Sequence, residues 1–138
     1  MKVLKYDTPE LRFSIELADN TTAVYGDGNV GKTCIYNKLM NAANAKQLEY
    51  DVLFINMQTQ YNVALLQKHV DALFIIDDFD AIRLVRPEII TYLNNSINQV
   101  LLFGRDLEDL RIDKHYLYYT VSCENNITFV PVCAERLR

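Results

Sequence analysis

The chain has 138 residues, of which 50% are hydrophobic and 23% are charged, and its formal net charge is −4. This length fits one domain with one core, so residues 1–138 are treated as a single domain. The hydrophobic content excludes a disordered chain. The negative balance gives no indication of nucleic-acid binding. No apolar run reaches the roughly 18 residues of a membrane span, and no signal peptide is recognised, so the sequence predicts a cytoplasmic protein without membrane contact.

The first predicted element is a β-hairpin. Residues 11–17 alternate apolar and polar side chains, which is the period-2 pattern of a half-buried strand. After a polar turn, residues 22–25 return as a second strand. A centred turn places Ile15 opposite Val24 on the inner face.

A glycine-rich segment follows this second strand. It reads Gly26-Asp27-Gly28-Asn29-Val30-Gly31-Lys32-Thr33. The segment matches the phosphate-binding pattern G-x-x-x-x-G-K-[ST] at every fixed position. Glycines let the backbone aim its N–H groups at phosphate oxygens, and the helix predicted over 33–45 adds its N-terminal N–H groups. We therefore predict that these eight residues and Cys34 bind a nucleotide.

Two side chains of this segment have specific roles in the pattern. The lysine, Lys32, reaches the β- and γ-phosphates and is assigned to catalysis, and the hydroxyl of Thr33 is assigned to Mg²⁺. The helix should bury Ile35, Leu39, Ala42 and Ala43 on one face. The alternative interpretation is a glycine-rich turn that happens to precede a helix.

The segment after the glycine-rich motif supplies carboxylates. Residues 52–57 and 72–76 read as buried parallel strands, with a short helix over 63–70 between them. The second strand ends in Asp77-Asp78, so both carboxylates emerge at its carboxyl end. We assign Asp77 to the metal and Asp78 to the attacking water. A turn carboxylate or a helix N-cap is the alternative for Asp78, and Asp80 is interpreted as a cap of the following segment.

The next helix begins near Pro87 and leads into a fourth strand over 99–103. This strand should lie beside the strand that enters the glycine-rich motif. Arg105 would then project toward the γ-phosphate and sense whether ATP or ADP is bound, and an exposed arginine that closes a strand is the alternative. Arg83 and Arg86 are assigned to solvated surface, with a finger for a neighbouring subunit as the alternative.

The last predicted element is a hairpin of residues 116–123 and 127–132. Its turn is centred on Asn125-Asn126, which pairs Cys123 with Thr128. Pro131 lacks a backbone donor, so the last strand should lie at an edge of the sheet.

The two nucleotide motifs together resemble those of the P-loop NTPase superfamily, with Walker A at Gly26 to Thr33 and Walker B at Leu73 to Asp78. The strand that ends before Arg105 is similar to the sensor strand of AAA-like and STAND ATPases. The resemblance implies an α/β fold: a three-layer P-loop NTPase with a mainly parallel central sheet and terminal antiparallel hairpins. The alternation of strands and helices also indicates a largely parallel sheet.

These observations predict a compact protein that binds ATP or ADP with Mg²⁺ and hydrolyses ATP slowly. No guanine-reading motif follows Asp77 and Asp78, which favours adenine over guanine. Two alternatives stay open: a regulatory or scaffolding module that binds nucleotide without turnover, and a small-molecule kinase. A protein partner or self-association would complete the site, because no lid segment is visible in the sequence.

Overall fold

The structure, a computed structural model, describes residues 3–26, 32–44 and 52–132, with only the backbone of 32–34, 43 and 44. Eight strands lie in this part of the chain: β1 Val3–Asp7, β2 Arg12–Glu16, β3 Thr21–Tyr25, β4 Val52–Ile55, β5 Leu73–Ile76, β6 Gln99–Gly104, β7 Leu117–Cys123 and β8 Asn126–Pro131. The described α-helices are α1 Lys32–Asn44, α2 Leu65–Lys68, α3 Phe79–Val85 and α4 Ile89–Asn95. Two 3₁₀ helices, Met57–Ala64 and Lys114–Tyr116, complete the elements of these ranges.

The eight described strands form one sheet in the order β1-β2-β8-β7-β3-β6-β5-β4. The pairs β1–β2 and β7–β8 are antiparallel. The other neighbours are parallel, including β3 beside β6, as the sequence predicted. Because β3, β4, β5 and β6 all run parallel, their carboxyl ends meet at one edge of the sheet.

The predicted fold class is nevertheless wrong. The chain does not form a three-layer P-loop NTPase with a mainly parallel central sheet; it forms a mixed sheet that curls into a half-barrel, with the four described α-helices packed on it. The outer strands account for the difference. In β1 and β2, exposed and buried residues alternate, so one face of these strands is open to solvent. No element of the described residues covers this face as a third layer.

The predicted N-terminal hairpin is also wrong. Ile15 of β2 pairs with Leu4 of β1, and Val24 of β3 pairs with Phe103 and Tyr118. β2 and β3 are therefore separated by β8 and β7 in the sheet. The alternating pattern of 11–17 correctly indicated a strand, but a pattern of side chains does not name the strand's neighbours.

The C-terminal hairpin forms, with a different register. Cys123 pairs with Asn126, so the two-residue turn is Glu124-Asn125, with Glu124 at a φ of 55°. The prediction that Pro131 confines the last strand to an edge is wrong, because β8 lies between β2 and β7. Pro131 is tolerated since β2 pairs only with residues 126–128.

The sheet divides the core into two clusters. The first joins Ile35, Tyr36 and Leu39 of α1 to the curled strands β1, β2 and β8. The second packs α2, α3 and α4 on the opposite face. The burial of Ile35, Leu39 and Ala42 confirms the predicted helix face. The strands between the two clusters, β3, β5 and β6, are buried over most of their length. No helix within the described ranges has the length and hydropathy to cross a bilayer.

Candidate functional site

A cleft of about 480 Å³ opens at the carboxyl ends of the central strands. Four predicted site residues line it: Gly26 after β3, Asp77 and Asp78 after β5, and Arg105 after β6. Side chains of α1 close another side of the cleft. The sequence therefore selected residues that the fold brings together, although the fold class was predicted incorrectly.

The other predicted phosphate-binding residues fall outside the described part of the chain. These are Asp27, Gly28, Asn29, Val30 and Gly31, together with the side chains of Lys32, Thr33 and Cys34. The described backbone on each side is consistent with the motif, since β3 ends at Tyr25 and α1 begins at Lys32. The contacts predicted for Lys32 and Thr33 stay predictions.

Asp77 and Asp78 follow the fully buried strand β5 but have different environments. The N–H group of Asp77 donates to the carbonyl of Ile55 at 2.9 Å, which fixes this residue to the end of β4. Asp78 is exposed and has a left-handed backbone, with φ 55° and ψ 49°. Such a conformation costs a non-glycine residue about 1 kcal/mol or more, and strain of this kind concentrates at functional sites.

Asp78 occupies the N-cap position of α3, the alternative considered from the sequence. Its carboxylate, however, accepts no capping hydrogen bond from the helix. A structural cap would use the side chain to satisfy an N–H group of the first turn. Asp78 therefore lines the cleft, and its carboxylate does not cap the helix.

Asp80 has a structural task that the sequence did not indicate. Its carboxylate accepts hydrogen bonds from the backbone N–H groups of Arg105 at 2.9 Å and Asp106 at 2.8 Å. It therefore ties α3 to the end of β6. Gly104 permits this approach, because a Cβ atom there would lie 3.0 Å from Asp80 Oδ1 and 3.1 Å from Phe79 Cβ. The backbone of Arg105 is thus fixed at the cleft.

The three arginines near the cleft are not equivalent. Arg105 is exposed and lines the cleft. The guanidinium of Arg83 donates from Nη1 to the carbonyls of Asp106 at 2.8 Å and Glu108 at 3.1 Å, and it pairs with the Asp106 carboxylate at 3.2 Å. Arg86 contacts Gln60 and Glu88. The side chain of Arg83 therefore stabilises the loop after β6 rather than extending freely from the surface.

Sequence reasoning did not identify Tyr36 as a residue of the cleft. Its side chain is 1% exposed, and its ring packs edge-on against Phe54 with centroids 5.5 Å apart. Tyr36 lines the cleft, and its buried hydroxyl meets no hydrogen-bond criterion with a described residue. Burial, and then the Asp77 carboxylate, raise the pKa of Tyr36 far above its ordinary value, whereas a hydrogen-bonding interaction with the Asn56 side chain lowers the pKa. The sequence offered one signal for this residue: a tyrosine, whose side chain ends in a polar hydroxyl, lies at the edge of the apolar face of α1.

The acidic cleft is compatible with Mg²⁺ carried by a nucleotide. Within residues 3–26, 32–44 and 52–132, no group of three or more His, Cys, Asp or Glu side chains could form a self-sufficient metal site. Mg²⁺ does not require one, because it usually takes one or two carboxylates and completes its shell with phosphates and waters. Asp77 fits this requirement together with the predicted Thr33.

Comparisons with protein-family models and with curated proteins give no match for this chain. The residues of the cleft are therefore the basis for assigning a function. Their common position at the carboxyl ends of parallel strands is where open α/β sheets bind ligands.

Proposed function

We propose that the protein binds ATP with Mg²⁺ in this cleft and hydrolyses it slowly to ADP and phosphate. One observation carries the proposal: the phosphate-binding motif joins β3 to α1, and Asp77 and Asp78 line the cleft that Gly26 enters. A nucleotide site requires a phosphate-binding segment and a carboxylate for the metal in one cleft, and a glycine-rich turn without function does not. Cytoplasmic location, where ATP is available, stays part of the proposal.

The proposed roles follow from charge and position. The motif backbone and Lys32 bind the phosphates, and Thr33 and Asp77 hold Mg²⁺, which neutralises phosphate charge. Asp78 orients the attacking water, and Arg105 senses the γ-phosphate. The described lining contains the carboxylates of Asp77, Asp78 and Asp80 beside the single guanidinium of Arg105, as counted in the described residues. This lining would repel an ATP anion, so binding should be weaker without Mg²⁺ than with it.

A regulatory module that binds nucleotide without turnover is the second candidate. Exposed apolar side chains beside the cleft favour it: Leu84 is 80% exposed and Tyr25 is 45% exposed. Both residues line a smaller cavity that also includes Arg105. A partner protein on this surface would respond to a change at Arg105. The short side chain of Asp78, compared with the glutamate often found at this position, also favours slow or absent hydrolysis.

The first experiment is calorimetric titration of the wild type and Lys32→Ala with ATP, ADP and GTP in the presence of Mg²⁺. Loss of charge-assisted hydrogen bonds to phosphate should weaken ATP binding by at least about tenfold. Lys38→Ala is the matched control, because Lys38 lies on the same helix but outside the cleft lining. Absence of binding at millimolar nucleotide, or equal binding by Lys32→Ala, would contradict the proposal.

Turnover then separates the candidate functions. ATP hydrolysis that disappears in Asp78→Asn supports the ATPase. Binding without turnover, alone or with a partner, supports the regulatory module. Transfer of the phosphoryl group to an added small molecule would instead support the kinase alternative.

A further inference from the structure

The hydroxyl group of Tyr36 is an exception to the usual pairing of buried polar groups. Most buried side-chain polar atoms have a hydrogen-bond partner, and one without a partner calls for an explanation. Tyr36 is 1% exposed, and its hydroxyl has no partner among the described residues. Tyr36 lines the cleft together with Asp77 and Asn56, and both of these residues act on its hydroxyl. The hydroxyl is therefore close to the space where a ligand would bind.

The Asn56 side chain interacts with the Tyr36 hydroxyl and lowers its pKa, but the amide oxygen of Asn56 is already committed to other donors. Asn56 Oδ1 accepts hydrogen bonds from the backbone N–H groups of Gln58 and Thr59, both at 3.0 Å, and from the Thr59 hydroxyl at 3.1 Å. These bonds cap the 3₁₀ helix Met57–Ala64. Satisfying the Tyr36 hydroxyl with this oxygen would weaken the cap. The hydroxyl is therefore left for an acceptor that enters the cleft.

Packing and a backbone hydrogen bond hold the surroundings of the hydroxyl in place. Three elements converge on this corner of the cleft: α1 contributes Tyr36, the end of β4 contributes Asn56, and the end of β5 contributes Asp77. The Asp77 N–H bond to Ile55 fixes β5 to β4, and the packing of Tyr36 on Phe54 fixes the ring. A rotation of the tyrosine toward another acceptor would disrupt this packing.

We propose that Tyr36 is a positioning residue of the nucleotide site, and that its hydroxyl donates a hydrogen bond to an oxygen atom beside Asp77 when the nucleotide is bound. This inference rests on the proposed function. The acceptor is either a phosphate oxygen or a water that Asp77 holds, and both offer the same lone pairs to the hydroxyl. In both cases the bond orients the ligand around Asp77, in the way that outer-shell partners support metal ligands.

The test uses the variant Tyr36→Phe, which removes the hydroxyl and keeps the ring. The ligand-free protein should unfold at the same urea concentration as the wild type or at a higher one, because no hydrogen bond is lost and an unpaired buried group is removed. The dissociation constant for Mg²⁺-ATP should rise about tenfold, as it does when outer-shell partners are removed. A residue that only fills the core would not combine an unchanged or higher urea midpoint with weaker binding of Mg²⁺-ATP.

Tyr118→Phe is the matched control. Tyr118 is also buried, but its hydroxyl donates to the carbonyl of Glu16 at 2.9 Å and lies outside the cleft lining. Its removal should lower the urea midpoint and leave the dissociation constant within twofold of the wild type.

Titration of ATP without Mg²⁺ distinguishes the two acceptors. Equal weakening of binding by Tyr36→Phe with and without the metal indicates a phosphate oxygen, whereas weakening only with Mg²⁺ indicates a water beside Asp77. A wild type that binds Mg²⁺-ATP and a Tyr36→Phe variant that binds it equally well would overturn this inference alone. A wild type that binds no nucleotide would overturn the proposed function and this inference with it.

Discussion

The two ends of the central strands each hold a polar side chain that is 1% exposed, Asn98 at the amino end and Tyr36 at the carboxyl end. Asn98 is fully engaged: its Oδ1 accepts from the N–H of Ala72 at 3.0 Å, and its Nδ2 donates to the carbonyls of His69 at 2.8 Å and Leu66 at 3.2 Å. The hydroxyl of Tyr36 has no such partner within the described structure.

The groups next to each end show a related difference. At the amino end, Gln99 N donates to the carbonyl of Ala72 at 3.0 Å and extends the sheet past Asn98. At the carboxyl end, the carboxylate of Asp78 does not cap its helix. A region that serves only stability can satisfy all its groups, whereas a binding site keeps groups available for a ligand at a cost in stability. The comparison therefore separates structural from functional polar residues.

The largest expected effect on stability concerns Asn98, whose side chain is fully hydrogen-bonded at the amino end of the central strands. Asn98→Ala should lower the free energy of unfolding by about 3 kcal/mol, because two buried backbone groups and one partly buried group lose their partner. Urea unfolding measures this loss. Nucleotide binding by the folded fraction should be unchanged, since Asn98 does not line the cleft.

Asn95→Ala is the control for this variant. Asn95 is exposed and donates to the carbonyl of Thr91 within its own helix at 2.8 Å. Its replacement should cost less than about 0.5 kcal/mol. Equal costs for the two asparagines would contradict the structural role of Asn98.

The second prediction concerns Gly104, where Asp80 of α3 is hydrogen-bonded to the backbone at the end of β6. A methyl group there would lie 3.0 Å from Asp80 Oδ1 and 3.1 Å from Phe79 Cβ. Gly104→Ala should therefore destabilise the protein by about 2 kcal/mol through overpacking. It should also displace the Asp80 carboxylate from the N–H groups of Arg105 and Asp106.

A double-mutant cycle with Asp80→Ala tests this mechanism. If Gly104→Ala already breaks the hydrogen bonds of Asp80, the double variant loses less stability than the sum of the single variants. Additivity within about 0.3 kcal/mol would show that the two residues act independently. Urea unfolding of the four proteins provides all the values.

The sequence predicted the elements around the cleft because these elements depend on local signals. The apolar run 72–76 and the strand 99–103 are buried, and apolar runs of this length indicate buried strands. The order of such strands was also accessible in part: β6 lies beside β3 as expected. The candidate site residues could be predicted because they come just after the ends of β3, β5 and β6: Gly26, Asp77, Asp78 and Arg105.

The fold class was not predictable in the same way. The curl of the sheet arises from pairings between distant parts of the chain, such as Phe13 with Ile127. Nothing in the alternation of 11–17 favours β1 and β8 over β3 as neighbours. Tyr36 was missed for a related reason, since its burial depends on Phe54 and its unpaired hydroxyl depends on the cap that occupies Asn56. Such features exist only once the elements are packed.

The smallest expected effect compares the two ends of β5 directly. Asp71 and Asp78 have nearly the same left-handed φ, 56° and 55°, before and after this strand. Glycine adopts this conformation without strain, so Asp71→Gly and Asp78→Gly should each raise the free energy of unfolding by about 0.5 kcal/mol, part of the relief being offset by a more flexible unfolded chain. Urea unfolding would detect both changes.

Turnover should separate the two variants although their stabilities change alike. Asp71 lies outside the cleft lining and Asp78 within it. Asp71→Gly should keep the wild-type rate of ATP hydrolysis, whereas Asp78→Gly should lose it and still bind Mg²⁺-ATP. If both variants hydrolyse ATP at the wild-type rate, the strain at Asp78 is a feature of the turn alone and the carboxylate does not orient the water. If neither changes stability, the left-handed backbone costs aspartate nothing at either end of β5.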